Sequence, residues 1–225
     1  AGLWLALGWA PPPYRIDVLA DADWVAGMRA QFEPRAYGDG RLWVRPSWCE
    51  PQGPPDREIV LDPGLAFGTG EHPTTALCLD WLAGEAPLEG HRVIDYGCGS
   101  GILAIAAVRG GASDVRAVDI DPRAVSVTRD NAAANGVAER VQALLPEALG
   151  SSRADIVVAN ILLNPLVALA PRLTALTLPG GWIALTGLLE SQARECAAAY
   201  ERDFEFEPPR CRAGWALLLG RRRPC

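Results

Sequence analysis

The 225-residue chain contains no lysine; all 21 of its basic residues are arginine. That bias reads as genome composition and carries no functional message. Against 27 acidic residues it leaves a formal net charge of −6, which argues against a general nucleic-acid binder, a class that is usually basic. Only two histidines are present, so a histidine-rich metal centre is excluded. The six cysteines are scattered (Cys49, Cys78, Cys98, Cys196, Cys211, Cys225), with no C-x-x-C pair. Such usage speaks against a zinc site or redox motif and fits a reducing cytosol. No apolar stretch approaches the roughly 20 residues needed to cross a bilayer, so no membrane association is expected. The opening AGLWLALGWA lacks a basic flank and runs into Pro11-Pro12-Pro13, unlike a secretory signal. Internal repeats and low-complexity tracts are missing too.

What is present suits one well-buried domain with a smaller appendage. About half of the residues are apolar and a fifth are charged, as in ordinary globular proteins. Residues 1–13 read as a loose leader. Tyr14–Leu19 is a strand candidate, Ala22–Phe32 a short helix and Arg41–Val44 a further strand. The Pro/Gly-rich run CEPQGPPD from Cys49 reads as a linker. The expected division is therefore an N-terminal region over 1–48, a linker over 49–58 and a main domain over 59–225.

Beyond the linker, strands and helices alternate. Helices are expected over His72–Ala83, Ile102–Arg109, Pro122–Ala134, Pro165–Leu176 and Leu189–Ala199. Strands are expected over Arg92–Tyr96, Val115–Asp119, Arg140–Leu144, Ile156–Ala159 and Trp182–Thr186. Phe204–Phe206 and Trp215–Leu219 suit a closing antiparallel hairpin. This alternation means βαβ units and a doubly wound α/β sheet, which binds ligands beyond the carboxyl ends of its strands.

Four segments carry chemistry. In Val93-Ile-Asp-Tyr-Gly97-Cys-Gly99-Ser-Gly101, a hydrophobic strand enters a glycine-rich turn that opens a helix, so the backbone can approach a bulky ligand. A dinucleotide fingerprint would need glycine where Ile102 stands. Asp119, about 20 residues on, is placed to accept hydrogen bonds from both ribose hydroxyls of a nucleoside cofactor. Asp121, before Pro122, suits a helix N-cap instead. Asn160 ends a buried strand where ligands bind, whereas Asn164 before Pro165 suits the next N-cap. In Leu61–Thr75, LDPGLAFGTGEHPTT, Phe67 could face a sulfonium or an amine with its ring. Thr74 and Thr75 either cap the following helix or reach the cofactor.

LDPGLAFGTGEHPTT, VIDYGCGSGILAIAA, VDIDPRAV and VVANIL together resemble the ribosomal protein L11 methyltransferase family of bacteria, from about Tyr14 to the C-terminus. The first of these motifs is the discriminating one. The resemblance implies a class I, Rossmann-like methyltransferase sheet with an antiparallel C-terminal hairpin. It further implies methyl transfer from S-adenosylmethionine to lysine side chains and the N-terminal amine of a large-subunit ribosomal protein in the cytoplasm. Matched by motif, the cofactor contacts are Thr75, Gly97, Asp119 and Asn160. Asp95 is expected to orient the loop and the methionine end of the cofactor. Members of the family carry a recognition domain ahead of the linker, so residues 1–48 are expected to be the remnant of one.

Methyl transfer of this kind is a direct displacement at carbon. A lysine ammonium, with a reference pKa of about 10.4, has no lone pair, so a dry pocket that disfavours the charged form favours attack. Alignment of nitrogen, methyl and sulfur supplies much of the remaining rate. No dedicated acid or base is visible; Asn160 is left as an orienting group. A monomer with no direct nucleic-acid contact is expected. A class I enzyme with a small-molecule or RNA acceptor, or a cofactor-binding remnant, would carry the same cofactor motifs.

Overall fold

The computed structural model describes residues 32–62 and 70–224. The strand expected over Tyr14–Leu19 and the helix over Ala22–Phe32 lie, Phe32 apart, outside the described residues, as does Phe67. Two short strands, β1 (Arg35–Tyr37) and β2 (Leu42–Arg45), form an antiparallel hairpin. Gly38, Asp39 and Gly40 turn it with positive φ. The Pro/Gly-rich run then leads into β3 (Glu58–Val60), which pairs in parallel with β2. Arg45 Nε lies 2.8 Å from Glu58 Oε2, with both side chains largely buried, and ties the two strands together.

The main sheet begins after helix α1 (Pro73–Gly84). In chain order follow β4 (Arg92–Tyr96), α2 (Ile102–Arg109), β5 (Asp114–Val118), α3 (Pro122–Ala134) and β6 (Val141–Leu144). A short α4 (Pro146–Leu149) leads to β7 (Ala154–Asn160). Then come α5 (Leu163–Ala168), α6 (Ala170–Leu176), β8 (Thr177–Leu189) and α7 (Ala193–Ala198). The chain closes with β9 (Phe204–Phe206), β10 (Arg210–Arg212) and β11 (Trp215–Arg222).

The strand order is β10-β11-β8-β7-β4-β5-β6, with β9 also paired to β11. β4 through β8 run parallel, while β11 pairs antiparallel with β8, β9 and β10. This is the doubly wound sheet with its antiparallel closure that the alternating pattern predicts. The order reverses beside β4, whose neighbours are β5 and β7. Loops leaving β4 and β7 therefore part in opposite directions and open a crevice.

Alternate residues of each strand serve opposite faces. Val93, Val115, Ile156 and Val158 pack with Leu79, Leu103 and Val125 from α1, α2 and α3. Ile94, Val118, Val157 and Ile183 pack on the other face with Leu166, Leu173 and Cys196 from α5, α6 and α7. Among the described residues no helix is long and apolar enough to cross a membrane.

Several boundaries differ from the sequence-based expectation. The helix expected over Pro165–Leu176 is two helices broken at Leu169. Pro171 explains the break, since it has no N–H to give and its ring opposes the carbonyl four residues back. Asn164 is not an N-cap: Leu162 holds that position and Asn164 is the second helical residue. Pro165 falls at the third, where an N–H would have no partner within the helix. Asp121 does cap α3, accepting from the Arg123 N–H at 2.9 Å. β8 is longer than expected because strands pair with it on both sides.

At the carboxyl ends of β7 and β8 the backbones come very close. A Cβ on Gly187, which has a φ of +92°, would stand 2.3 Å from the Ile161 carbonyl oxygen. Strain at φ and backbone overlap add, so Gly187→Ala is expected to lower unfolding stability by about 2–4 kcal/mol. Denaturant titration checks this; a loss below about 0.5 kcal/mol would show that the two strands can part freely.

Candidate active site

The strand β4 ends in Gly97-Cys98-Gly99-Ser100-Gly101, and all three glycines have positive φ. The Gly97 and Cys98 N–H groups both donate to the Val118 carbonyl, at 2.7 and 3.0 Å, which folds the turn back over β5. A Cβ on Gly97 would meet Ile161 Cγ2 at 2.3 Å. Ile161 is thus wedged between Gly97 and Gly187, and its N–H donates to the Thr186 carbonyl at 3.1 Å. That wedge fixes the preceding residue, Asn160.

Asp119 follows β5 and reaches across to the turn. Its Oδ2 accepts from the Gly99 N–H at 3.0 Å, and its Oδ1 from the Asp121 N–H at 3.0 Å. Each oxygen keeps a lone pair for a ligand. Asn160 donates through Nδ2 to Thr75 Oγ1 at 3.3 Å, joining β7 to the first turn of α1 across 85 positions of sequence. Neither Thr74 nor Thr75 caps that helix. His72 does, accepting from the Thr74 N–H, with Thr74 Oγ1 2.7 Å from its Nδ1. Thr75 is left facing the cleft.

Thr75, Gly97, Asp119 and Asn160, drawn from four separate segments, all line one cleft of about 330 Å³. Its remaining walls are mainly apolar, from Ile102, Leu103, Ile120 and Ile161. Ile120 stands 81 % exposed at the rim. A larger hollow of about 560 Å³ lies elsewhere, lined by Glu85, His91, Asp155, Trp182 and Arg221. It contains none of the loops leaving β4, β5 or β7, and the fold places ligand chemistry at those loops.

The model of one protein family, "Ribosomal protein L11 methyltransferase", matches residues 6–223. The chain belongs to the ribosomal protein L11 methyltransferase family. A member from Pseudomonas putida is 51 % identical over 224 residues, covering 99 % of this chain and 76 % of the relative. One from Hahella chejuensis is 50 % identical over 208 residues, covering 92 % and 70 %. Among solved structures, a ribosomal protein L11 methylase from Lactobacillus delbrueckii subsp. bulgaricus has 34 % identity and a TM-score of 0.72, covering 81 % of this chain and 95 % of that one. A Thermus thermophilus 16S rRNA methyltransferase in complex with AdoMet and guanosine has 26 % identity and a TM-score of 0.59, covering 70 % and 45 %.

Within this member of the L11 methyltransferase family, two features of the cleft escaped the sequence reading. One is Ile161, whose wedge between two glycines depends on a pairing that only the fold reveals. The other is the state of Asp95. It is 1 % exposed. Its Oδ2 accepts from the Ala104 N–H at 3.1 Å, which anchors the start of α2, while Oδ1 is buried without a hydrogen-bond partner among the described residues.

Burial pushes the Asp95 carboxyl up to about 7; the Ala104 N–H opposes the shift and the Asp119 charge adds to it. In the unfolded chain the same group titrates near 4. A raised folded-state value means that the native protein holds this proton more tightly than the unfolded one. The stabilisation is therefore full below about pH 4 and lost as pH rises through about 7. Denaturant unfolding of the ligand-free protein should show a component of stability that falls across this window. Asp95→Asn should remove that component, and an unchanged pH profile in this variant would contradict the assignment.

Proposed function

We propose that the chain transfers methyl groups from S-adenosylmethionine to amines of ribosomal protein L11, both lysine side chains and the N-terminal amine. It does so as a cytoplasmic monomer without direct contact with nucleic acid or membrane. The observation that carries this reading is the convergence of Thr75, Gly97, Asp119 and Asn160 on one cleft at the reversal of the strand order. In the same reading, residues 1–48 belong to substrate recognition, 49–58 connect, and 59–225 hold the cofactor.

The residues present suit a cationic nucleoside cofactor. Asp119 has lone pairs to spare for two ribose hydroxyls, and Gly97 lets the backbone approach where a side chain would stand. The unpartnered Asp95 Oδ1, at the head of the same turn, is a buried acceptor in need of positive charge. When bound, S-adenosylmethionine supplies an electrophilic methyl on a sulfonium. Asn160 and Thr75 close the opposite side of the cleft. With one amide hydrogen given to Thr75, the Asn160 Oδ1 is free to accept from an amine N–H and turn its lone pair inward. The apolar wall around Ile161 disfavours an ammonium and so favours the neutral amine that attacks. Alignment, rather than a dedicated base, is what these residues contribute.

Three experiments test this. S-Adenosylhomocysteine should bind in the micromolar range, about −8 kcal/mol, and NAD should not; heat with NAD and none with S-adenosylhomocysteine would sink the cofactor assignment. Mass spectrometry of ribosomal protein L11 after incubation should show added methyl groups. Between the two neighbouring carboxylates, Asp119→Ala should weaken cofactor binding by about 1.5–3 kcal/mol, the scale of a charge-assisted hydrogen bond. Asp121→Ala should instead cost about 1 kcal/mol of stability through loss of the cap. The opposite pattern would show the two roles exchanged.

A further inference from the structure

One face of α3 carries Thr128 and Asn131, and Asn135, its C-cap residue, continues the same line, the three spaced three and four residues apart. Their contacts run in one chain. Thr128 Oγ1 donates to the Gly99 carbonyl at 3.1 Å and stands 3.3 Å from Cys98 Sγ. Asn131 Nδ2 donates to the Ser100 carbonyl at 2.8 Å. Asn135 Nδ2 donates both to the Asn131 carbonyl and to the Val60 carbonyl, each at 2.8 Å, while its Oδ1 accepts from the Val60 N–H at 2.8 Å. Arg109 completes the chain, donating to the carbonyls of Asn135 at 2.8 Å and Glu58 at 3.1 Å.

Two features set this apart from ordinary helix packing. The turn that faces the cleft has its Gly99 N–H held by Asp119 and its Gly99 and Ser100 carbonyls held by α3, so it is gripped on both sides. Thr128 is fully buried, and its methyl fills the space where a Cβ on Gly101 would fall, 2.7 Å away. At the other end, β3 is the edge of its sheet, and an edge strand presents unpaired N–H and C=O groups. Asn135 takes both groups of Val60 as a neighbouring strand would.

We propose that Thr128, Asn131 and Asn135 form a ladder of positioning residues. Its first two rungs set the shape of the cofactor turn, and its third docks β3 against the same helix. None of the three lines the cleft, so they act through the turn. The ladder rests on the reading that this cleft takes S-adenosylmethionine. Wild-type affinity for S-adenosylhomocysteine measures that reading, whereas amide exchange in the ligand-free protein measures the ladder independently of any ligand.

Thr128→Val keeps the shape and removes the donor, and Thr128→Ser restores it. Asn131→Ala, at a partly exposed position, provides a second variant that should fold. In the full 225-residue chain, Thr128→Val and Asn131→Ala should each raise the S-adenosylhomocysteine Kd about tenfold, as for one lost hydrogen bond. Both should also speed amide exchange across residues 97–101. Thr128→Ser should return Kd to within about twofold of wild type. Asn135→Leu should speed exchange across residues 58–61 and leave Kd within about twofold. The proposal is overturned if Thr128→Val and Asn131→Ala lower Tm while Kd and exchange in 97–101 stay at wild-type values. It is equally overturned if Thr128→Ser binds no better than Thr128→Val.

Discussion

Ile161 stands between two main-chain passes that leave it no alternative position. Gly97 closes on its side chain from the end of β4 and Gly187 on its backbone from β8, each at a point where any Cβ would overlap it. Neither approach is available to another residue type without strain, because both glycines hold positive φ. The consequence reaches one residue back. Asn160 cannot drift along β7, so its amide keeps its distance from Thr75 and from the glycine turn. A site built from four segments far apart in sequence needs such a fixed point, since an error at one segment would otherwise spread to the rest.

Charge follows the same logic. Asp95 heads the glycine turn and Asp119 and Asp121 come to it from the end of β5, and of the three only Asp119 lines the cleft, whose other walls are mostly apolar. The three have different duties. Asp121 is committed to capping α3 and Asp119 divides itself between two N–H groups and the cleft. Asp95 is almost wholly withdrawn from water, and its second oxygen has no hydrogen-bond partner among the described residues. A group of that kind lowers the stability of the ligand-free protein at neutral pH.

Much of this was legible from residues alone, and the limits have physical causes. The alternation of strands and helices from residue 72 onward, the glycine turn and the Asp121 cap depend on local spacing, which a sequence displays directly. The missed features depend on pairings over long distances. β1 and β3 are three residues each, too short for any periodicity, and exist because β2 lies between them. Asn164 is a good capping residue, whereas the helix begins two residues before the expected Pro165, at Leu163. His72 was overlooked because histidine is an uncommon N-cap; its ring nitrogen accepts where a hydroxyl or carboxylate usually does. Thr128, Asn131 and Asn135 stand at helical spacing, but nothing local says what such a line of polar residues faces.

The fold alone does not choose an acceptor, since the Thermus thermophilus rRNA enzyme shares it at lower identity. What narrows the choice in this chain is the wall next to Asn160. Ile161 follows it directly, wedged between two glycines and lining the cleft, and it offers no flat polar edge to a planar amide or base. In the proposed reading a hydrocarbon stem ending in an amine would meet both demands: methylenes against the aliphatic wall, and one N–H to the carbonyl oxygen of Asn160. Because that oxygen can take only the hydrogens and not the lone pair, it turns the nitrogen's free electrons away from itself and toward the interior of the cleft. Orientation of this sort requires that Asn160 be held on both sides, by Thr75 through its amide and by the Ile161 wedge through its backbone, and both restraints are in place before any ligand arrives.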